Sequence, residues 1–488
     1  MFTPLEIYKN AVLEKNSSYI SPIFVWIHGG TMMYGDALEE NNEPSTFVAM
    51  TDLIVVSINY RLASLGFLYM NGTDANGNQG MQDQYLALKW VYENAHSFGG
   101  DPNRITIGGD SAGGFSVGFH MIHKPSWPYF TDAVIESGNL LDLSVRLLST
   151  QEASIQSKAI AIEMNCNINE TNQIMFECLQ SIKDLRKLSE VAFKYMYYPL
   201  MVLDGSFVNE QPTELYNRGL IKPCRLLTGF NTKETAYFTG PNISTIQQIS
   251  TGNINFLLGL LKEYYSNFGG YSYEKIGFSS FDSFLEGIIT EYVSADQRKN
   301  KSTIYFDISV DLTSDSSFIY PTIQMADKMA ELNQSVYVFS YSYHLSSSLW
   351  PSNYEAVHTE QLYMVFAEPL SVKGLPLLNE NPYSSTLHNY SAEERKLSET
   401  ILNYLAEFIR GKEPWLKFKS NRLTSTHRNI MNLNMNKENI FNFDLNSSKY
   451  RFWMPKSKPN SSGTLFSKYS IYLHVFSIFI ALSYQCVF

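Results

Sequence analysis

Short apolar runs recur along the chain and alternate with longer amphipathic stretches. Runs that are rich in β-branched residues and end at glycine, asparagine or proline predict buried strands. The runs are Ile23–His28, Leu53–Tyr60, Arg104–Ile107, Asp132–Ser137, Arg225–Phe230 and Ser335–Tyr343. Between them lie helix-like stretches such as Gly80–Phe98. Strands that alternate with helices predict an α/β fold, in which a mostly parallel central sheet carries helices on both faces.

A glycine-rich turn follows the third of these strands. The stretch "IGGDSAGGFS" (Ile107–Ser116) contains the pattern G-x-S-x-G with Ser111 at its centre, and a helix-like segment follows at once. A serine on a tight turn between a strand and a helix is held above the sheet edge, and the N-terminus of the helix points at it. Glycine-flanked serines also occur in ordinary turns, so the motif alone leaves a catalytic and a structural interpretation open.

A nucleophilic serine needs a histidine as base and an acid that orients the histidine. Where the chain order is serine, acid, histidine, the base lies well beyond the serine. The histidines in that part of the chain are His344, His358, His388, His427 and His474. Periodicity does not choose among them. His358 precedes an apolar helical stretch, which favours a histidine on a loop held by packing.

Composition excludes several classes of function. Hydrophobic residues make up 44% of the 488 residues, so the chain can bury a large core. The net charge of −10, without a basic block, argues against a nucleic-acid partner on electrostatic grounds. No zinc-type spacing of cysteine and histidine and no glycine-rich phosphate loop is present, so we expect neither a metal nor another cofactor. Aromatic residues reach 14%, which suits an aromatic-lined pocket, although most rings must lie in the core.

Cysteines and glycosylation signals favour a secreted or surface protein. Cys166 and Cys178 bracket a short loop that a disulfide could close in an oxidising compartment, with two free thiols as the alternative. Cys224 precedes a strand and fits a buried single thiol. The chain contains nine N-x-S/T sequons, at Asn16, Asn71, Asn169, Asn242, Asn300, Asn333, Asn389, Asn446 and Asn460.

The C-terminus of the sequence indicates a membrane anchor, whereas the N-terminus lacks the signal peptide that such an anchor requires. Residues 470–488 form an apolar tail, and residues 456–469 form a polar spacer with small residues. This order is typical of a glycosylphosphatidylinositol attachment signal, and a single membrane-spanning helix is the alternative. We therefore expect an extracellular or cell-surface protein anchored at its C-terminus. The N-terminal stretch "MFTPLEIYKNAVLEK" lacks the apolar segment of a signal peptide, so we expect the natural protein to begin earlier.

Several segments together resemble a known family. They are "VWIHGG", "VVSINYRLASLGFL", "NQGMQDQYLALKWV", "FGGDPNRITIGGDSAGGFSVG", "CNINETNQIMFEC", "LLTGFNTKETAYF" and "LWPSNYEAVHTEQLYMVF". In content and order they resemble the type-B carboxylesterases, and the last resembles the cholinesterase branch. The resemblance covers nearly the whole chain and implies one catalytic domain over residues 1–455.

The resemblance implies an α/β-hydrolase fold and a Ser-Glu-His triad. Ser111 matches the nucleophile, Glu234 in "NTKETAYF" matches the acid, and His358 matches the base. Without the resemblance, Glu234 would be interpreted as a surface carboxylate on a loop.

The resemblance also implies an oxyanion hole and an aromatic contact. The oxyanion hole would use the backbone N–H groups of Gly29, Gly30 and Ala112. Tyr237 matches an aromatic position that helps cholinesterases hold a quaternary ammonium through cation–π attraction. A tyrosine that only packs is the alternative.

Two departures from the family pattern lie at the site. Thr31 stands where the oxyanion loop usually has a third glycine, and its branched side chain is expected to crowd the acyl side. Asp110 stands before the nucleophile in place of glutamate, so the charge lies closer to the backbone. Both residues are expected to border the bound substrate.

Other departures concern disulfides. Cys166 and Cys178 match one family disulfide, whereas the two positions of another read Tyr320 and Tyr450, so both halves are replaced together. The family's first segment, which carries a further disulfide and the main choline-binding tryptophan, lies before the start of this sequence.

These observations support a serine ester hydrolase without a cofactor, acting on a small-molecule ester. Tyr237 and the segment around His358 favour choline esters, while Thr31 keeps a general carboxylesterase open. The alternative from another class is a catalytically weak or inactive surface protein that adheres to cells or binds a ligand. Thr31, the aromatic richness and the expected anchor motivate that alternative.

Overall fold

The computed structural model describes residues 5–9, 20–39, 42–141, 147–167, 169–196, 201–239, 243–267, 273, 277–371, 390–418, 426–435 and 439–454. The predicted spacer 456–469 and apolar tail 470–488 lie outside these residues, so the anchor stays a prediction. Among the described helices, none is both long and apolar enough to cross a bilayer.

One sheet of nine strands organises the described part of the chain. The strands are β1 (Leu5–Tyr8), β2 (Ser21–Ile27), β3 (Ile54–Ile58), β4 (Gly100–Asp110), β5 (Asp132–Glu136), β6 (Arg225–Asn231), β7 (Val336–Tyr341), β8 (His427–Leu433) and β9 (Asn439–Asp444). Their order across the sheet is β1-β3-β2-β4-β5-β6-β7-β8-β9. The strands from β3 to β8 in this order run parallel, and β1 and β9 pair antiparallel at the two edges. The predicted α/β fold is therefore confirmed.

Helices fill the connections between the strands. They are α1 (Ser45–Met50), α2 (Ala63–Phe67), α3 (Gln79–Asn94), α4 (Ala112–Ile122), α5 (Thr150–Glu163), α6 (Asn172–Ser181), α7 (Leu185–Tyr195), α8 (Pro212–Asn217), α9 (Ile243–Ser250), α10 (Ile254–Asn267), α11 (Phe281–Tyr292), α12 (Ala295–Lys299), α13 (Tyr305–Ser314), α14 (Tyr320–Glu331), α15 (Gln361–Val365), α16 (Ala392–Ile409) and α17 (Ser448–Trp453). A π-helical turn, Asp315–Ile319, joins α13 to α14.

Strand β2 shows how the sheet divides the core. Ile23, Val25 and Ile27 pack into the hydrophobic cluster on one face, and Phe24 and Trp26 pack into the cluster on the other. Successive side chains of a strand point to opposite faces, so a strand buried on both faces is apolar at nearly every position. This is why β2 appears in the sequence as one continuous apolar run.

Three strands were not predicted, and each lies at or beside an edge of the sheet. They are β1, β8 and β9. In β8 the pattern "HRNIMNL" mixes charged and amide side chains with apolar ones, and His427, its first residue, is exposed. Its polar side chains lie on both faces of the strand, and Arg428 is buried and paired with Asp327. This mixture hides the strand pattern, and the sequence had indicated a loop here.

The cysteines and one pair of tyrosines lie where the sequence analysis expected them. Cys166 and Cys178 are joined by a disulfide, with Cα atoms 5.9 Å apart, and Cys224 is a buried free thiol. Tyr320 and Tyr450 meet edge to face, with ring centroids 5.5 Å apart and an interplanar angle of 85°. The two positions that matched a lost family disulfide are therefore neighbours in the fold.

Candidate active site

Ser111 occupies the turn between β4 and α4. Its backbone has φ 55° and ψ −123°, a conformation that L-residues rarely adopt. The Ser111 N–H donates to the carbonyl of Glu136 at 2.9 Å, and its own carbonyl accepts from the N–H of Phe115 at 3.0 Å. These two bonds fix the strained turn to β5 and to the first turn of α4. Such a backbone presents the serine side chain at the carboxyl edge of the sheet.

The glycines around Ser111 are required by close backbone approach. A Cβ atom at Gly113 would collide with the carbonyl oxygen of Ile27 in β2, and one at Gly109 would collide with the backbone of Gly113. A side chain at Gly109 would force β4 and α4 apart, and one at Gly113 would force α4 away from the end of β2. The G-x-S-x-G pattern is therefore required by the close approach of backbone segments at this turn.

Glu234 and His358 form a buried pair. Glu234 begins a 3-10 turn just after β6, and His358 lies on the loop between β7 and α15. His358 Nδ1 lies 2.6 Å from Glu234 Oε2, and both side chains are at most 2% exposed. The other carboxylate oxygen accepts the backbone N–H of Asn231 at 2.7 Å. The contact holds the imidazole with Nδ1 towards the acid.

The opposite ring nitrogen of His358 is left available. Nε2 is buried and has no hydrogen-bond partner among the described residues. It therefore does not hydrogen-bond to Ser111 in this structure. Burial is the largest influence and disfavours the imidazolium, but the attraction of Glu234, its hydrogen bond and the charge of Asp110 together raise the pKa of His358. With Nδ1 protonated and facing Glu234, Nε2 carries the lone pair that a general base needs.

The loop after β2 lies directly beside the nucleophile. A Cβ atom at Gly29 would lie 2.9 Å from the carbonyl oxygen of Asp110 and 3.2 Å from Ser111 Cβ. Gly30 has φ 91° and Thr31 has φ 53°, so the chain turns sharply here. The Thr31 hydroxyl donates to the Gly30 carbonyl at 2.8 Å. The structure thus brings the predicted oxyanion loop to the turn that carries Ser111.

Ala112 and His28 complete the surroundings of this loop. Ala112 is the buried first residue of α4, so its N–H lies at the positive end of the helix. His28 is buried and stacks on Tyr60 with ring centroids 4.6 Å apart, and the Tyr60 hydroxyl donates to the His28 carbonyl at 3.0 Å. Burial lowers the pKa of His28 to about 4, so this histidine is neutral. It supports the loop through its contacts with Tyr60.

Three aromatic rings surround His358. Their centroids lie 5.7 Å (Tyr237), 5.4 Å (Phe238) and 5.0 Å (Phe318) from the imidazole centroid. Tyr237 is half-buried and also stacks on Trp350 at 5.7 Å. The sequence indicated Tyr237 but neither phenylalanine. Phe318 comes from the π-helical turn, whose position in the sequence carries no local signal.

Asp110 lies behind Ser111 and is 2% exposed. Gln361 Nε2 donates to Asp110 Oδ1 at 2.7 Å and to Glu136 Oε2 at 3.3 Å. Burial, the largest influence, raises the pKa of Asp110 to about 7 against the opposing effects of His358 and Gln361. Burial and then the charge of Asp110 raise the pKa of Glu136 to about 8. Sequence reasoning did not find Glu136 or Gln361, although both occur in segments that it quoted.

Comparisons with known proteins identify the family of this chain. The model of the carboxylesterase family matches residues 3–453. Acetylcholinesterase of Bungarus fasciatus is 27% identical over 84% of this chain, which covers 64% of that protein. Cholinesterase 1 of Branchiostoma lanceolatum is 29% identical over 69% of this chain and 94% of its own length. Cholinesterase of Mus musculus is 28% identical over 92% of this chain and 71% of its own length. Since the family model spans nearly the whole chain, the protein belongs to the carboxylesterase family.

Proposed function

We propose that this protein is a serine carboxylic-ester hydrolase. The observation that carries the proposal is the buried pair of His358 and Glu234, 2.6 Å apart, with the distal imidazole nitrogen unbonded. Membership of a family of ester hydrolases supports it, as does the strained turn at Ser111 on the same sheet edge.

In the proposed reaction, the Ser111 hydroxyl attacks the ester carbonyl carbon and its proton passes to His358 Nε2. Glu234 keeps Nδ1 protonated and stabilises the imidazolium that forms. The tetrahedral intermediate collapses, and the departing alkoxide takes the proton back from Nε2. Water then attacks the acyl-serine by the same route and releases the acid and the free hydroxyl of Ser111.

The developing oxyanion would accept hydrogen bonds from the backbone N–H groups of Gly29, Gly30 and Ala112. Loss of one such donor in comparable sites costs roughly 10²- to 10³-fold in rate. The position of the Gly29 backbone beside Ser111 Cβ supports this assignment. No step of the proposed reaction requires a metal or another cofactor.

Choline esters are the proposed substrate class. The relatives described above are named acetylcholinesterase or cholinesterase, and the half-buried Tyr237 lies beside the base. A quaternary ammonium held over an aromatic ring gains about 0.5–2 kcal/mol. The protein's net charge of −10 also favours the approach of a cationic ester.

A non-catalytic surface-binding protein is the second candidate, and Thr31 is the observation that favours it. This β-branched residue has a backbone φ of 53° and lies in the loop whose Gly29 approaches Ser111. A fluorophosphonate probe separates the two candidates. The esterase proposal expects a covalent adduct on the Ser111 peptide, lost in Ser111→Ala and kept in Ser206→Ala, an exposed control serine. No adduct on folded protein would favour the binding protein.

We also propose that the protein passes through the secretory pathway. The sequon asparagines that the structure describes, Asn71, Asn169, Asn300, Asn333 and Asn446, are all exposed. Glycan addition needs such accessible positions, and the disulfide fits an oxidising compartment. Protein from a eukaryotic secretory host should lose mass on treatment with peptide N-glycosidase. An unchanged mass would contradict the proposal.

A further inference from the structure

A buried polar cluster lies behind the candidate triad. It consists of Asp110, Glu136, Gln361 and Asn231, and each of these side chains is at most 2% exposed. Asp110 and Glu136 end the neighbouring parallel strands β4 and β5 and are paired in register. Residues paired in this way point to the same face of the sheet, and neighbouring strands lie roughly 5 Å apart. Two carboxyl groups are thus held side by side in the core.

Gln361 connects the two carboxyls and cannot neutralise them. Its amide nitrogen donates to Asp110 Oδ1 at 2.7 Å and to Glu136 Oε2 at 3.3 Å, and its amide oxygen accepts from Asn231 Nδ2 at 2.6 Å. Among the described residues, no lysine or arginine forms a salt bridge with either carboxyl. Two adjacent carboxylates without a cation cannot both be charged at low cost, so the usual solution is a retained proton.

The cluster touches every segment of the candidate triad. Asp110 precedes Ser111, and the Glu136 carbonyl accepts the Ser111 N–H at 2.9 Å. Asn231 donates its backbone N–H to Glu234 at 2.7 Å and its side-chain amide to the carbonyl of Val357, the residue before the base, at 2.6 Å. A substitution in this cluster is therefore expected to shift the positions of the nucleophile, the acid and the base.

We propose that Asp110 and Glu136 hold one proton between them, bridged by Gln361, and that this singly charged pair positions Ser111 and His358 for catalysis. The inference rests on the proposed function. The titratable groups that face the pair are His358, Glu234 and Glu39, and the last two are also acids. One negative charge behind His358 stabilises the imidazolium formed in the reaction. A second charge would repel Glu234 and the developing oxyanion.

The test follows the Cε1 resonance of His358 in protein labelled with ¹³C-histidine, as the pH is raised from 5 to 10. The signal is assigned with a His358→Asn variant. We expect an ionisation near pH 8, where Glu136 loses the shared proton, in addition to the titration of the imidazole itself. Glu136→Gln preserves size and hydrogen bonding but removes that proton, so the step near pH 8 should be lost.

Glu360→Gln is the matched control. Glu360 is a buried acid next to Gln361, its pKa is raised to about 7 by burial, and it accepts the Val357 N–H at 3.0 Å. This variant should keep the step near pH 8. A step that survives Glu136→Gln, or a wild-type titration without it, would overturn the proposal.

Steady-state kinetics test the positioning role. In Gln361→Met, which keeps the volume and removes both hydrogen bonds to the carboxyls, kcat should fall roughly 10- to 100-fold with KM nearly unchanged, because the side chain lies behind the site. An unchanged kcat in folded Gln361→Met would refute positioning. The histidine titration needs no turnover, so a wild-type protein that shows the step but hydrolyses no ester would refute the proposed function and leave the shared proton established.

Discussion

The rings of Tyr320 and Tyr450 meet edge to face across the boundary between α14 and α17, where the family resemblance places the halves of a lost disulfide. Both rings are buried, and Phe443 packs against each of them at 6.2 Å and 5.4 Å. An aromatic pair of this kind contributes about 0.5–1.5 kcal/mol beyond the area it buries. Packing between rings thus joins the two segments in place of a covalent bond.

Tyr450→Ala should destabilise the protein by about 3–5 kcal/mol, because it removes a buried ring and leaves a cavity. Equilibrium unfolding in urea measures the change. Tyr450→Phe keeps the ring and should cost less than about 1.5 kcal/mol. Equal losses in the two variants would show that the hydroxyl, and not the ring contact, holds the segments together.

Glu234→Gln should lower kcat for an aryl ester by roughly 10⁴-fold with little change in KM. The amide can present its N–H group to His358, which favours the wrong tautomer and removes the charge that stabilises the imidazolium. Glu355→Gln, an exposed acid three residues before the base, is the control and should retain the wild-type rate. If both variants turn over equally fast, the acid lies elsewhere.

The pH dependence of kcat/KM should reflect the raised pKa of His358. A general base acts in its neutral form, so activity falls when the imidazole gains a proton. Since the charges of Glu234 and Asp110 outweigh burial, the midpoint of the acidic limb should lie above about 6.5, the ordinary value for histidine. The profile is measured with a substrate that does not titrate. A midpoint at or below the ordinary value would mean that burial dominates.

The sequence predicted the fold well wherever burial on both sheet faces leaves a continuous apolar run, as in β2. It missed β8 because outer strands carry polar side chains that resemble a loop. Within the site, the motif around Ser111 follows from local backbone geometry and is readable. Glu234 and His358 are 124 residues apart, and only the family resemblance connected them.

The cluster of Glu136 and Gln361 could not be read from local patterns. Glu136 appears as the polar end of a strand, and Gln361 as the first residue of a short helix. Their contact depends on the register of β4 and β5 and on the course of the loop after β7. Phe318 likewise contacts His358 from a π-helical turn, which no local sequence pattern indicated.

Tyr237 should contribute to selectivity for a cationic ester. We expect Tyr237→Leu to lower kcat/KM for a choline ester by roughly 2- to 30-fold, which corresponds to a cation–π contribution of about 0.5–2 kcal/mol. The uncharged 3,3-dimethylbutyl ester has nearly the same shape and should lose much less. Tyr237→Phe keeps the ring and serves as the control. Equal losses on the two esters would assign Tyr237 to packing against Trp350.

Substitutions of Thr31 test whether this residue weakens catalysis. At φ 53° a β-branched residue is strained by about 1–3 kcal/mol, and its hydroxyl recovers part of this through the bond to the Gly30 carbonyl. Thr31→Gly removes both effects, so the free energy of unfolding should change by less than about 1 kcal/mol. It also opens the acyl side, so the ratio of butyryl- to acetyl-ester kcat/KM should rise several-fold. Thr31→Ser keeps the hydroxyl without the methyl group and isolates its contribution. If neither substitution changes that ratio, the Thr31 side chain does not border the acyl group, and the oxyanion loop tolerates threonine without a functional cost.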